Sequence, residues 1–310
     1  MNIDQVVNKM KRDLELAITD QIVDGSKVNK KGKLFLNGAE AKQSLIRSSK
    51  LINYVHEFVK HELIRNNVEE SLIFPPLGQT NPEIKLTGMF KQKDQDVCVK
   101  PQGVLPERTL IEWGPMINSG LYCDYGGAYA ERVLSINVRS QLSSLDKNSD
   151  TLFERMFAEA LNLHELYPKI VMGEVYVIPV YEYDDQAMIN NQVKFKSRRT
   201  NLEKYINFFY YLSGRDEQDL EEDKQKYERC ALVIIDFRGD QAKVYKNTAE
   251  LKARGLVRND FEVELAELST DKFIEDLLLI YNNRFPGSVA KFENQTRPLW
   301  TPNILGCYSH

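Results

Sequence analysis

Two hydrophobic periods take turns along the chain. Over residues 1–23, Ile3, Val6, Val7, Met10, Leu14 and Ile18 recur at helical spacing. Residues 39–66 repeat the pattern with Leu45, Leu51, Ile52, Val55, Phe58, Val59 and Leu63, which predicts a long helical stretch with one buried face. Between the two, residues 27–36 read as a turn into a short strand. From residue 84 the period falls to two. Ile84-Lys85-Leu86 and Val97-Cys98-Val99 predict the two strands of a hairpin joined by a polar turn. Residues 133–139 alternate, and the β-branched Val133, Ile136 and Val138 favour a strand there. A polar loop over 140–148 then leads to an N-cap at Ser149 or Asp150. After it, Leu152, Phe153, Met156, Phe157, Ala160 and Leu161 mark an amphipathic helix.

The second half continues the alternation. Val175, Val177, Ile178 and Val180 predict a buried strand, in which Pro179 signals a bulge or an edge. Residues 231–237 predict another buried strand, with Lys243-Val244-Tyr245 as a hairpin partner. Residues 201–211 and 273–281 are helical, 216–228 a charged stretch of loop plus helix, and 297–310 a Pro-rich irregular tail. Residues 102–130, with Gly114, Gly120, Gly126 and Gly127, form a long loop-rich stretch, which signals function or strands that the pattern hides. No linker or repeat interrupts the chain. The pattern therefore predicts an α/β fold, a mixed central β-sheet flanked by helices, as a single domain over 1–310 whose residues 1–70 form a helical N-terminal region. Polar side chains at the end of strand 133–139 and the start of the next helix would meet at the rim of the sheet, where α/β folds place chemistry.

Composition narrows the class. At 42% hydrophobic and 28% charged, 310 residues suffice for a buried core of ordinary globular type. The net charge of −4 excludes a bulk polycation, so any nucleic-acid binding must use a local basic surface. Cys98, Cys123, Cys230 and Cys307 lie far apart with no C-x-x-C pair, which argues against a zinc or disulfide framework. The N-terminus is charged throughout, unlike a signal peptide, and no apolar run reaches the roughly 18 residues of a membrane span. A cytoplasmic protein is expected.

Candidate chemistry lies in three places. Asp94-Gln95-Asp96 precedes the apolar run 97–99, so a carboxylate there is held rigidly; a hard cation such as Mg²⁺ prefers such oxygens, although aspartates are also common in hairpin turns. Asn137 and Arg139 point to one face of their strand. Arg139 cannot be a general base, since its pKa stays above about 12, but it can clamp a phosphate; a surface ion pair is its plainer role. Glu154 and Glu159 follow on the helix, either as metal ligands beside Asp96 or as a solvated face.

The stretches GMFKQKDQDVCVKP and LSINVRSQLSSLDKNSDTLFERMFAEALNLH, followed by GEVYVIPVYEYD, resemble PD-(D/E)XK nucleases, and in detail type II restriction endonucleases, over roughly the middle third of the chain. The resemblance implies a restriction-endonuclease-like core and Mg²⁺-dependent cleavage of double-stranded DNA at a short specific site, with Asp96 as the first-motif carboxylate. It puts Asn137 where the family has Glu or Asp, and Arg139 where it has Lys. Some members carry the second carboxylate on the following helix, which makes Glu154 the first choice for it and Glu159 the reserve. Without the lysine, water activation would rest on the metal. The long gap from Asp96 to Asn137 implies an inserted element within 102–130.

Gln141, Ser143, Ser144, Lys147 and Asn148 form a loop rich in groups that bond base edges and phosphates, or else an ordinary polar loop. Lys194, Lys196, Arg198 and Arg199 are a second candidate DNA-facing surface, or a solvated charge run. The four histidines include no H-E-x-x-H; His56 and His61 read as helix surface. There is no Walker loop, G-x-G-x-x-G or G-x-S-x-G. Three functions remain: a site-specific endonuclease, paired as a homodimer to match a palindromic site; a nuclease-fold DNA-binding protein that does not cut; and an interaction protein unrelated to DNA.

Overall fold

The computed structural model describes residues 1–215 and 220–287. Three helices open the chain: α1 (Ile3–Asp20), α2 (Gly38–Arg47) and α3 (Lys50–Arg65). Six strands form the central sheet: β1 (Ile73–Phe74), β2 (Val97–Val99), β3 (Leu134–Ser140), β4 (Val171–Pro179), β5 (Arg229–Asp236) and β6 (Lys243–Tyr245), side by side in chain order. The β1–β2 and β2–β3 pairs are antiparallel, β3, β4 and β5 run parallel, and β6 returns antiparallel to β5. The parallel pairs need crossovers. Helix α4 (Leu145–His164) supplies the first and α5 (Leu202–Leu212) the second, and α6 (Thr270–Arg284) follows the sheet.

Alternation sorts the strand residues onto two cores. Leu134, Ile136, Val138, Val171, Val175, Val177, Ala231, Val233 and Ile235 pack with α1, α2, α3 and α6. Met172, Tyr176, Ile178, Cys230, Leu232 and Ile234 pack with α4 and α5. With both faces covered, β4 and β5 are buried along their whole length, which is why they read as near-continuous apolar runs. Gly173 permits the close approach of α6: a Cβ there would lie 2.6 Å from Leu277 and 2.7 Å from Phe273. Asn137, Arg139 and Glu174 occupy positions of the α4-facing set. A buried aliphatic side chain contributes about 1.5–3 kcal/mol. Asn137 and Glu174, at 1% and 0% exposure, forgo that contribution.

Several expectations shift in instructive ways. The helical stretch 39–66 is two helices, because Ser49 adopts a left-handed φ of 66° and turns the chain between α2 and α3. Residues 84–86 do not pair with 97–99. Ile84–Thr87 forms its own hairpin with Gln92–Gln95, a strand too polar to show in the pattern, and β2 enters the central sheet against β3. Within 102–130, Thr109–Leu110 and Tyr122–Cys123 pair as a small hairpin, followed by a short helix, Gly126–Ala130. Helix α4 starts at Leu145, four residues before the expected cap, since Leu145 N donates to Glu182 Oε1 at 2.9 Å from across the fold. Pro179 sits at the end of β4 rather than at a bulge. The β3 partner stops at Val177, so the side on which Pro179 lacks an N–H has no strand left to bond. Residues 195–199 of the basic stretch pair as a strand with Tyr181–Tyr183. The tail 297–310, with Cys307 and His310, and part of the charged stretch 216–228 lie outside the described residues. Among the described residues no helix is long and apolar enough to cross a membrane.

Candidate active site

The strand registers build a row of polar side chains across the sheet. Val97 lies opposite Ile136, so one residue earlier Asp96 lies beside Asn137. Asn137 in turn lies opposite Glu174. Asp96 is fixed by its Oδ2, which accepts the Val138 N–H at 2.8 Å. Three adjacent strands thus present Asp96, Asn137 and Glu174 on the α4 face. The Asn137 Oδ1 and Nδ2 and the Glu174 Oε1 are buried with no hydrogen-bond partner among the described residues. Orphaned polar atoms are rare in folded interiors and call for an ion, a water or a ligand.

Two cations flank the row. Arg139 donates from Nη1 to Glu174 Oε2 at 2.5 Å and from Nη2 to Glu159 Oε2. Lys93, on the polar strand that runs into Asp96, donates to the same Glu159 oxygen at 2.7 Å. Burial pushes the Glu174 carboxyl up to about 7, against the pull of Arg139 and Lys93, and Asp96 adds to the rise. Burial also pushes the Lys93 ammonium down to about 8, and the neighbouring Arg139 acts in the same direction. Both groups change charge near neutrality within one ion-pair network, a feature that active sites share with structural ion-pair networks.

The sequence-predicted residues divide accordingly. Asp96, Asn137, Arg139 and Glu159 are brought together. Glu154 lies on the exposed side of α4, about 140° around the helix from Glu159. Glu174 and Lys93 are the residues that sequence reasoning missed. The signal for Glu174 was a carboxylate inside the apolar run of β4; for Lys93 there was none beyond its nearness to Asp96. His56 on α3 is half-buried, and its Nε2 has no partner among the described residues. Burial lowers that imidazole, against the field of Asp96.

The expected DNA-facing residues also divide. Gln141 is taken into the interior: its Oε1 accepts from Tyr205 OH at 2.7 Å and Tyr176 OH at 3.1 Å, and its Nε2 donates to Ser144 O and Leu145 O. No part of that amide is left to meet a base edge. Replacing Gln141 by leucine is expected to cost about 2–4 kcal/mol in urea unfolding, since two tyrosine hydroxyls lose their acceptor. Ser143 and Ser144 are exposed ahead of α4, and Lys147 and Asn148 are exposed in its first turn. Lys194, Arg198 and Arg199 are exposed, while Lys196 pairs with Glu182 at 2.7 Å and Asp185 at 3.0 Å. Ser143, Ser144, Lys147, Lys196, Arg198 and Arg199 line one cavity of about 300 Å³, so most of the two basic segments meet in space.

The donor set suits Mg²⁺, which takes one or two carboxylates and keeps several waters. Asp96 and Glu174 are the two carboxylates that could serve, with the Asn137 amide between them. Among the described residues no three His, Cys, Asp or Glu side chains cluster as a ready metal cage. No family model, curated protein or solved structure matches this chain. The mixed sheet flanked by helices is generically consistent with restriction-endonuclease-like folds.

Proposed function

We propose that this protein is a Mg²⁺-dependent, site-specific endonuclease of the type II restriction class, a homodimer that hydrolyses phosphodiester bonds of double-stranded DNA. The observation that carries the reading is the row Asp96, Asn137 and Glu174, with its orphaned oxygens beside Lys93 and Arg139. Asp96 and Glu174 would hold the metal, the role sequence reasoning gave to Asp96 with Glu154 or Glu159. When bound, Mg²⁺ acidifies a coordinated water and offsets the charge of the phosphate. Arg139 orients Glu174 and Glu159 rather than gripping phosphate, because both of its outer nitrogens already donate to carboxylates. Lys93, once neutral, accepts a proton from the attacking water. The water oxygen bonds to phosphorus, the bond from phosphorus to one sugar oxygen breaks, and that oxygen takes a proton from solvent. One end keeps the phosphate and the other becomes a hydroxyl.

The pH dependence follows from two signs. The Glu174 carboxyl, raised to about 7, carries the charge a metal needs only above that pH; the Lys93 amine, lowered to about 8, accepts a proton only once it has lost its own. Cleavage is expected to climb between pH 6 and 8 and level off above. A Lys93→Arg variant, still protonated at pH 8, is expected to lose the upper part of the climb. A rate that is flat or falling over this range in the unchanged protein counts against both roles.

One observation favours a second reading, DNA binding without cleavage: Arg139 already neutralises Glu159 and Glu174, the charge a cation would otherwise meet. That reading predicts binding whose log–log salt slope is about −0.9 per phosphate contacted, with no need for Mg²⁺. Plasmid and phage DNA incubated with Mg²⁺ or with chelator separate the two. Discrete Mg²⁺-dependent fragments support the endonuclease, intact DNA that is still bound selects the second reading, and no binding at low salt removes both.

A further inference from the structure

The cavity where the basic segments meet holds a side chain that neither reading uses. Lys42, on α2, is 4% exposed and lines its wall. Its ammonium lies 5.3 Å from the centre of the Tyr183 ring and makes no hydrogen bond to the described residues. The carboxylates nearby are engaged elsewhere. Glu182 accepts from Leu145 N at 2.9 Å and from Lys196 at 2.7 Å, and Asp185 pairs with Lys196 at 3.0 Å. The stem is buried while the ammonium opens onto the cavity, where an anion would offset the cost of its partial desolvation. Burial pushes Lys42 down to about 8, so it still carries most of its charge at neutral pH. Lys147, Arg198 and Arg199 add positive charge at the rim, against the two carboxylates already bonded. The cavity also sits beyond the carboxyl ends of β3 and β4, where open α/β sheets bind ligands.

We propose that this cavity is a phosphate-binding site in which Lys42 is the buried anchor and Lys147 belongs to the rim. Its volume of about 300 Å³ admits a phosphate group with at most a mononucleotide attached, not a duplex. The phosphate has two possible sources, a free phosphate or nucleotide and the backbone of a bound DNA strand. The site does not rest on cleavage, since no member of the Asp96 row lines it.

The test uses the full chain in Mg²⁺-free, low-salt buffer, titrated separately with inorganic phosphate and with a short DNA duplex. Lys42→Met keeps the length of the stem and removes the charge; Lys147→Glu reverses an exposed rim charge without touching the core. Circular dichroism confirms that both variants are folded. Losing a charge-assisted bond is expected to weaken binding by about tenfold or more for Lys42→Met, and less for Lys147→Glu. Weakening of inorganic phosphate alone identifies a free ligand, and weakening of the duplex identifies backbone phosphate. If Lys42→Met binds both probes as the unchanged protein does, the site is overturned. The Asp96→Asn variant, which tests cleavage, is expected to bind phosphate normally, so failure of one proposal is distinguishable from failure of the other.

Discussion

Replacing Asp96 by asparagine is expected to reduce DNA cleavage by about a thousandfold or more while leaving the protein folded. A loss of that size is about 4 kcal/mol of transition-state stabilisation, within what one metal-binding carboxylate supplies. The fold should survive because, among the described residues, the side chain's hydrogen bond is as acceptor for the Val138 N–H, and an amide carbonyl accepts that bond equally well. Glu174→Gln should have an effect of similar size for the same reason, since it removes the second charge from the row. Glu154→Gln should change the rate less than about twofold, because that side chain lies on the exposed side of α4. The contrast between the two glutamates is the decisive measurement. Loss of activity on changing Glu154, with full activity in Glu174→Gln, would restore the ligand set that chain spacing favours and overturn the one the strand register favours. Full cleavage by the Asp96 variant would remove the site altogether.

The legible part of this protein is the part whose information is local. Strands β4 and β5 announce themselves because apolar residues crowd both faces of short runs, β3 because its apolar residues alternate, and α1 and α3 because their apolar faces repeat at helical spacing. Asp96, Asn137 and Arg139 were also readable, since alternation alone puts 137 and 139 on one face. Glu174 was not. Its neighbours Val175, Tyr176 and Val177 read as a buried strand, and only the register that sets Glu174 opposite Asn137 makes it part of a site; register between distant strands leaves no trace in either sequence. Lys93 is harder still, because the strand Gln92–Gln95 has no apolar period and its lysine comes to Glu159 through a contact across the fold. The choice between Glu154 and Glu159 turns on a single step. Moving the start of α4 forward to Leu145 does not alter their angular separation, but only the packing of the helix decides which of them faces Arg139. The two basic segments were readable as charge; that they share a cavity with Lys42 was not, because Lys42 lies on an N-terminal helix whose pattern gives it no distinction.

Replacing Glu228 by leucine is expected to destabilise the protein by about 3–5 kcal/mol, the largest single effect on stability anticipated for this chain. Glu228 is fully buried immediately before β5. Its Oε1 accepts from Arg215 at 2.9 Å and from Arg284 at 2.8 Å, its Oε2 accepts the Met172 N–H at 2.7 Å, and His164 Nε2 lies 3.5 Å away. Arg284 also donates to Ile170 O at 2.9 Å, and Arg215 to Pro168 O at 2.9 Å. One carboxylate therefore ties together the end of α4, the entry to β4, the segment after α5, and α6. Without it two buried guanidinium groups lose the carboxylate they share, which leucine's added apolar area cannot offset. Against a total stability of roughly 5–15 kcal/mol, the transition midpoint in urea should fall by roughly 1–2 M. The same group fixes the acid limit. Burial alone would raise its carboxyl, but Arg284, His164 and Arg215 together hold it well below the usual carboxylate range. A depressed carboxylate contributes stability above its unfolded pKa of about 4.5 and loses it as pH falls through the folded value. The unchanged protein should therefore lose stability steeply below pH 4.5, and Glu228→Leu should lose much less over the same interval because its loss is already complete. If the variant unfolds at the midpoint of the unchanged protein, the cluster contributes nothing, and the four elements it joins must be held by the two apolar cores alone.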